Sequence, residues 1–535
     1  MSRPNILLVV VDCARSDKWL GAGRTTRTPN LDRLAAQSAV LPTAIVEKPC
    51  TTPSFSTLLT GRYSPRHGVH LVWGYKLPES VPMLPESLAA AGYNTYAEAT
   101  GPLLPEMGLA RGFQHYEYRA PCDYLHTAWG DRFIERLKSG HYKAPWLLML
   151  HVWELHEHRH IAPGFDKPEF GRTGYERAVS SLDAQLGRLF EAVPERTLVA
   201  FTGDHGEKTP DEEYRPGTAV DYSRKLLGVD EADGMSPFSI AQWAGPSVLQ
   251  AFYGAATPMM RSVRLKDRPA AVNFKRGSTW RDRLRLLRLT PFVWLTDLLA
   301  LGRPLRLTQM LKKRGLLDEK KAKAKVDGLT RSLGPAQLLD MHMRMWINSY
   351  KCNMREGHMV HVYDFLVKVP LVLHWRGPAA ESPLRAGLAS DRMVRQPDIL
   401  PTLMELAGVE PPVSDALDGR SFAALLRGEA WTARDAFVSI TGLPADLELR
   451  GVRTETHKFV YGPENDEMPV ELYDLQTDPG ELRNLAAAEP RLVAELRAAA
   501  DRFVDDSVVI DMATVEVSDQ ARIERQLREL GYLES

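Results

Sequence analysis

The chain has 535 residues, 44% of them apolar and 25% charged, the balance of an ordinary soluble globular protein. That length exceeds one simple core, so two or more packed units are expected. A net charge of -1 carries no global bias toward nucleic acid, and four scattered cysteines without CxxC spacing exclude a zinc ribbon and a disulfide framework.

The N-terminal run, residues 5–11, is too short and too soon acidic for a signal peptide. It reads as a buried strand, and the protein as cytoplasmic. Further apolar runs of strand length lie at 146–152, 197–202 and 369–375, and 175–192 has helical periodicity. The pattern predicts an α/β fold, a large, mostly parallel sheet with helices on both faces. The first three runs end in acids or histidines: Asp12, then Glu154 with His156, then Asp204 with His205. Open α/β sheets bind ligands at the carboxyl ends of their strands, so these residues are brought to one edge.

Asp12 either holds a hard cation or caps a helix. Asp204 and His205 can converge on one metal where the backbone turns, and Gly203 and Gly206 permit that turn. In PCTTPSFSTLLTGRYSPRHG, Pro53 suits the first turn of a helix that Gly61 ends. Thr51 then lies at a helix N-terminus, where free N–H groups favour an anion. A hydroxyl held there on a cation becomes an alkoxide nucleophile; the alternative is that Thr51 or Thr52 caps the helix.

Taken together, RPNILLVVVDCARSD, TTPSFSTLLTGRYSPRHGV, LPESLAAAGYNT, HVWELH, FTGDHGE, VPLVLHWRGP, QPDILPTLMELAGV, LDGRSF, LYDLQTDPGELRNLA and LRELGYL resemble, in order, the segments of the sulfatase family within the alkaline-phosphatase superfamily. The resemblance implies a catalytic domain over 1–411 and a smaller α+β subdomain over 412–535. It implies Asp12, Thr51, Asp204 and His205 as ligands of one divalent ion, His156 as the leaving-group or substrate histidine, and Arg15 and His358 as anion- or ester-binding residues.

Departures from the family pattern bear on the chemistry. Sulfatases carry a cysteine, matured to formylglycine, in a C-x-P-S-R motif nine residues before the threonine of TGR. Here that place is Thr51, the arginine place is Phe55, and Cys50 stands one residue too early. Thr51 is the residue type of phosphodiesterase and phosphotransferase relatives. The expected reaction is therefore cleavage of a phosphodiester, phosphomonoester or phosphonate. A sulfatase working without formylglycine is the alternative. Cys13 and His205 stand where many sulfatases have an aspartate and an asparagine, and imidazole shifts the preference to manganese or zinc, with calcium or magnesium as alternatives. Cys13 is either a ligand or a buried core residue. A second metal on Glu154, His158 and His358 is the less favoured arrangement. Arg62, His67 and Asp183 are read as structural.

One stretch, about 209–350, has no counterpart in the compact pattern. Within it, residues 261–325 hold 19 Lys or Arg against 5 Asp or Glu, interleaved with Trp280, Phe292 and Trp294. This suits an interfacial helix on an anionic membrane, or a lid packed on the acidic catalytic domain. A small or lipid-linked anionic ester is the expected substrate, with no nucleic acid partner. A weakly catalytic scaffold that binds a membrane or partner through the insertion is the remaining alternative. Oligomeric state is not legible in the sequence.

Overall fold

The computed structural model describes residues 3–227 and 357–505, apart from 73–74, 121, 157–158, 214, 412–416 and 442–444. Its main sheet has nine strands. They are β1 Asn5–Val11, β2 Ala39–Ile45, β3 Asn94–Ala99, β4 His115–Tyr118 and β5 Trp146–Val152, then β6 Thr197–Gly203, β7 Lys368–Arg376, β8 Leu388–Ala389 and β9 Val394–Arg395. Their order is β4-β3-β5-β1-β6-β7-β2-β8, with β9 beside β2. Pairing from β4 through β6 is parallel, whereas β7 runs antiparallel to both β6 and β2. The sheet is thus mixed, and all four expected strands are present.

Both faces of the sheet are covered, which is why β1 is apolar without alternation. Ile6, Leu8 and Val10 pack into one core and Leu7, Val9 and Val11 into the other. The long helix Gly174–Ala192 covers the second face; its Asp183 accepts the backbone N–H groups of Asn30 and Leu31 at 3.0 and 2.8 Å, the structural part expected of it. The other face receives the helix Thr51–Thr60, buried along its whole length and closed by Gly61 at φ 65°.

Register fixes where these strands end. Val11 lies opposite both Val152 and Gly203, so β5, β1 and β6 leave the sheet at one level. Asp12 N–H bonds the Val152 carbonyl at 2.8 Å, and Asp204 N–H reaches the Val11 carbonyl at 3.4 Å.

A second, antiparallel sheet runs β10 Ala436–Ile440, β11 Leu449–Arg453, β12 His457–Tyr461 and β13 Glu471–Asp474, with the helix Pro490–Asp505 against it. The opening of the 209–350 stretch packs on this sheet: Ala219 N–H bonds Glu471 Oε1 at 2.7 Å, and Arg215 bonds the Gly480 carbonyl at 2.7 Å. The chain re-enters at Gly357, whose N–H and C=O pair with Lys208 at 3.1 and 2.7 Å. The basic segment 261–325, most of the 209–350 stretch, and the terminal LRELGYL lie outside the described residues. Among the described residues no helix is long and apolar enough to cross a membrane.

The two glycines around Asp204-His205 are needed for space and not for an unusual backbone angle, since neither has a positive φ. A Cβ on Gly203 would meet Ala14 Cβ at 2.9 Å, and one on Gly206 would meet the Phe365 carbonyl oxygen at 2.0 Å. Gly206 N–H bonds the Leu366 carbonyl at 2.7 Å, holding the segment that carries His358 against this loop. Gly206→Ala is expected to lower stability by about 1–3 kcal/mol through this overlap, read as a lower urea midpoint at unchanged slope. An unchanged midpoint would show that Phe365 moves aside freely.

His67 braces the helix Thr51–Thr60 from below. Its Nδ1 accepts the Val69 N–H at 3.1 Å, which leaves Nε2–H to bond Thr57 Oγ1 at 3.1 Å. Burial, with the Lys48 charge adding to it, pulls the ring down from 6.5 to about 3. The unfolded chain therefore takes up this proton first, so the stability the neutral ring contributes is full above pH 6.5 and is lost as pH falls toward 3, at about 1.4 kcal/mol per pH unit. His67→Asn is expected to flatten the acid limb of a stability-pH curve; parallel acid limbs in both proteins would assign the loss to other groups.

Candidate metal and nucleophile site

Three strand ends and one helix start meet at the carboxyl edge of the sheet. Asp12 follows β1, His151 is the last residue but one of β5, and Asp204 and His205 follow β6, all fully buried. Thr51 heads its helix and donates its hydroxyl to Asp12 Oδ2 at 3.1 Å. His205 Nδ1 donates to the Gly206 carbonyl at 2.8 Å, and this assigns the lone pair to Nε2, 3.4 Å from Thr51 Oγ1 and 3.5 Å from Asp204 Oδ2. Asp204 Oδ1 accepts the N–H groups of His205 and Cys13 at 2.8 and 3.2 Å, while its Oδ2 has no hydrogen-bond partner.

The electrostatics follow from crowding acids out of water. Burial pushes Asp204 well above the ordinary carboxylate range, and the Asp12 charge adds to that. Burial would raise Asp12 too, but the His151 hydrogen bond and the charges of His156 and His205 outweigh it and hold Asp12 low. Two buried carboxylates with one orphaned oxygen, an imidazole lone pair and a hydroxyl converge with too few protons among them. That donor set fits a divalent cation on Asp12, Asp204 and His205, whose ligand atoms lie within 4.8 Å of one another, with Thr51 Oγ1 alongside.

His156 and His358 also face this edge. His156 stacks on Trp153 at 4.0 Å between ring centroids and meets His358 edge-on at 5.5 Å. Burial pulls His156 down to about 4, against the attraction of Asp12. Burial acts on His358 as well, but its 2.9 Å bond to Glu207 Oε2 holds this ring above the ordinary imidazole value.

Arg15 is placed differently from its expected part. Its guanidinium takes Asp17 with two bonds of 2.9 Å, pairs with Glu212, and bonds the Glu207 carbonyl at 3.2 Å and Thr209 at 3.3 Å. A carboxylate two residues away offers fork geometry that the more distant Thr51 does not. Glu154 is likewise taken by the backbone, accepting the N–H groups of Leu125 and Trp153 at 2.8 and 2.9 Å. His158 lies outside the described residues.

Cys13 is turned toward the site. Its backbone has φ 58°, the left-handed region, and Asp204 at its N–H and the Tyr175 hydroxyl at its carbonyl hold it there. Three further neighbours of the site are not singled out by the sequence. His151 bonds the Thr100 carbonyl at 3.2 Å and faces Asp12 Oδ2 at 3.3 Å; both partners are acceptors, so a doubly protonated ring suits them, whereas burial pulls the other way. Glu207 bonds His358, and Arg159 reaches Glu207 Oε1 at 3.4 Å. A histidine alone in the apolar run WLLMLHV, and the acid closing DHGE, were the available signals.

Comparison with known proteins follows the same outline. Residues 4–229 match the Sulfatase family model, and residues 359–501 match that of the N-sulphoglucosamine sulphohydrolase C-terminal region. A delta 4,5-hexuronate-2-O-sulfatase of Bacteroides thetaiotaomicron is 32% identical over 164 residues, 28% of this chain and 31% of that protein. An N-acetylglucosamine-6-O-sulfatase of the same organism is 23% identical over 519 residues, 90% of this chain and 82% of that one. The chain thus aligns with about a third of the first relative's length but most of the second's. A solved 2-O GAG sulfatase shares the fold with a TM-score of 0.55 at 16% identity, covering 94% of this chain and 92% of its own. A phosphonate monoester hydrolase from Silicibacter pomeroyi does so with 0.54 at 15%, covering 95% and 96%. The N-terminal residues 4–229 are thus similar to the sulfatase family, residues 359–501 to a sulphohydrolase C-terminal region, and the fold is one that solved sulfatases share over nearly the whole chain.

Proposed function

We propose that this hydrolase cleaves a phosphate-type ester, a phosphodiester, phosphomonoester or phosphonate, with Thr51 as nucleophile. The observation that carries the reading is the Thr51 hydroxyl itself. It sits at the N-terminus of a buried helix, 3.1 Å from Asp12 and 3.4 Å from the His205 lone pair, and the sequence resemblance counts it into the formylglycine place. A divalent ion on Asp12, Asp204 and His205 would lower the pKa of that hydroxyl and polarise the ester.

The residues divide the remaining work. Asp12 accepts the Thr51 proton and orients Oγ1. Free N–H groups of the helix's first turn face the non-bridging oxygens as negative charge grows there. Transfer of the phosphoryl group to Oγ1 expels an alkoxide, and His358, which Glu207 holds above the ordinary imidazole range, supplies its proton. His156, held neutral at neutral pH, orients the leaving oxygen as a hydrogen-bonding partner. Water then attacks phosphorus and gives its proton to His358, while Asp12 returns the first proton to the departing Thr51 oxygen. A sulfated threonine has no such simple exit by the route formylglycine takes, which is why the phosphate class leads. Sulfate esters remain the second reading, because the named relatives are sulfatases.

Full-length protein loaded with manganese, zinc, calcium or magnesium is tested on nitrophenyl phosphodiester, phosphate, phosphonate and sulfate. Phosphodiester or phosphonate turnover is expected to dominate, and Thr51→Ala to reduce kcat by about 10³-fold or more. Sulfate turnover in excess of the others would replace the substrate class. Turnover surviving in the variant would remove Thr51 as nucleophile.

A further inference from the structure

The wall of the site nearest His358 has a chemistry of its own. Cys13 Sγ lies 2.9 Å from Asp12 Oδ1, 3.1 Å from Glu207 Oε2 and 3.8 Å from His358 Nδ1. A thiol has one hydrogen, and here it faces two carboxylates and an imidazole in a space that excludes water. A single proton satisfies one of the two carboxylates and leaves the other crowded, and since His358 Nδ1–H is given to Glu207, the ring's lone pair is left on Nε2. Cys13, His205 and His358 each offer a ligand atom, all within 4.8 Å of one another, and this trio overlaps the Asp12, Asp204 and His205 set through His205 alone. His205 has one lone pair, on Nε2, so the two sets draw on the same donor.

We propose that Cys13, His205 and His358 form a soft-ligand pole that takes a thiophilic divalent ion such as zinc, in competition with the oxygen-rich pole of Asp12 and Asp204. Thiolate and imidazole favour zinc, whereas carboxylates suit manganese, calcium or magnesium. Three protein ligands leave one position of a tetrahedral ion open, as in zinc sites that bind substrate. The Cys13 proton passes to solvent when the Sγ–metal bond forms. Glu207, bonded to His358 Nδ1, orients the ring and stabilises the ion without binding it. The left-handed backbone of Cys13, a region that non-glycine residues rarely occupy, is the device that aims the sulfur. The site's occupant is then set by which ion reaches the shared imidazole. The inference rests on a cation at this site and not on the identity of the ester.

Cobalt(II), which reports its ligands by colour, is the probe. Untagged full-length protein titrated with cobalt is expected to show a near-ultraviolet thiolate-to-cobalt charge-transfer band. Cys13→Ser should lose the band while Cys122→Ser keeps it, and His358→Gln should weaken cobalt binding about tenfold or more. Zinc should discharge the band at far lower concentration than manganese, and Cys13→Ser should narrow that gap at least tenfold. Absence of the band in the parent protein, or its persistence in Cys13→Ser, would overturn the pole. Circular dichroism of each variant establishes that it is folded before its spectrum is compared. The ester assays separate the two ideas. A band without turnover of any ester retains the pole and removes the phosphate reading, and Thr51-dependent turnover without a band does the reverse.

Discussion

Two carboxylates at the ends of neighbouring parallel strands organise this molecule. Asp12 and Asp204 are one residue beyond the register pair Val11–Gly203, so their approach is fixed by backbone hydrogen bonding across β1 and β6 and not by any side-chain preference. Brought together out of water, they oppose each other's ionisation. The surroundings answer with histidines: His151 at Asp12, His205 beside Asp204, and His156 and His358 facing them. The Thr51 helix is drawn to the same point, because its N-terminal N–H groups and its hydroxyl both suit a place rich in negative charge and, by its donor set, in need of a cation.

The second sheet contributes to that place at one remove. Segment 357–367 carries His358 and is tied down by buried groups on the far side. Lys458 Nζ bonds the Val362 carbonyl at 2.8 Å and pairs with Glu481 at 2.7 Å and with Asp364, while Glu471 meets His361 at 3.2 Å and Tyr473 at 2.6 Å. Charges that deep hold each other in place; removing one partner strands the rest at several kcal/mol. Such rigidity is what lets an imidazole on a loop face the strand ends at a fixed distance.

Much of this was legible in the residues. Strand 5–11 was readable because burial on both faces demands an unbroken apolar run, and Asp12 and Asp204-His205 stood out as the polar residues ending such runs. The helix at Thr51–Thr60 was readable from Pro53 and Gly61, which punctuate it. Arg15 was not, because a side chain that long has many reachable partners, and the carboxylate of Asp17 captures it. The glycines of GDHG looked like hinges, yet they are there because Ala14 and the Phe365 carbonyl leave no room for a Cβ, a fact that belongs to tertiary packing. His151 and Glu207 were hidden for a related reason: each acquires its part only when a segment far away in the chain arrives beside it. Cys13 was open between core and ligand, and a left-handed backbone angle, invisible in sequence, turned it to the site.

The two-bond bridge between Lys208 and Gly357 has a consequence for how such a chain can change over generations. It closes the fold immediately beside the site, so the residues entering after 227 and returning at 357 are joined to a frame that is already complete. With both ends fixed by the bridge, the geometry of the frame does not depend on how much chain lies between them. Additions there therefore leave the frame as it is, whereas a shift of one residue at the bridge would misplace His358. This makes the 227–357 junction a place where one lineage can acquire new recognition elements, long or short, while its chemistry stays where it was.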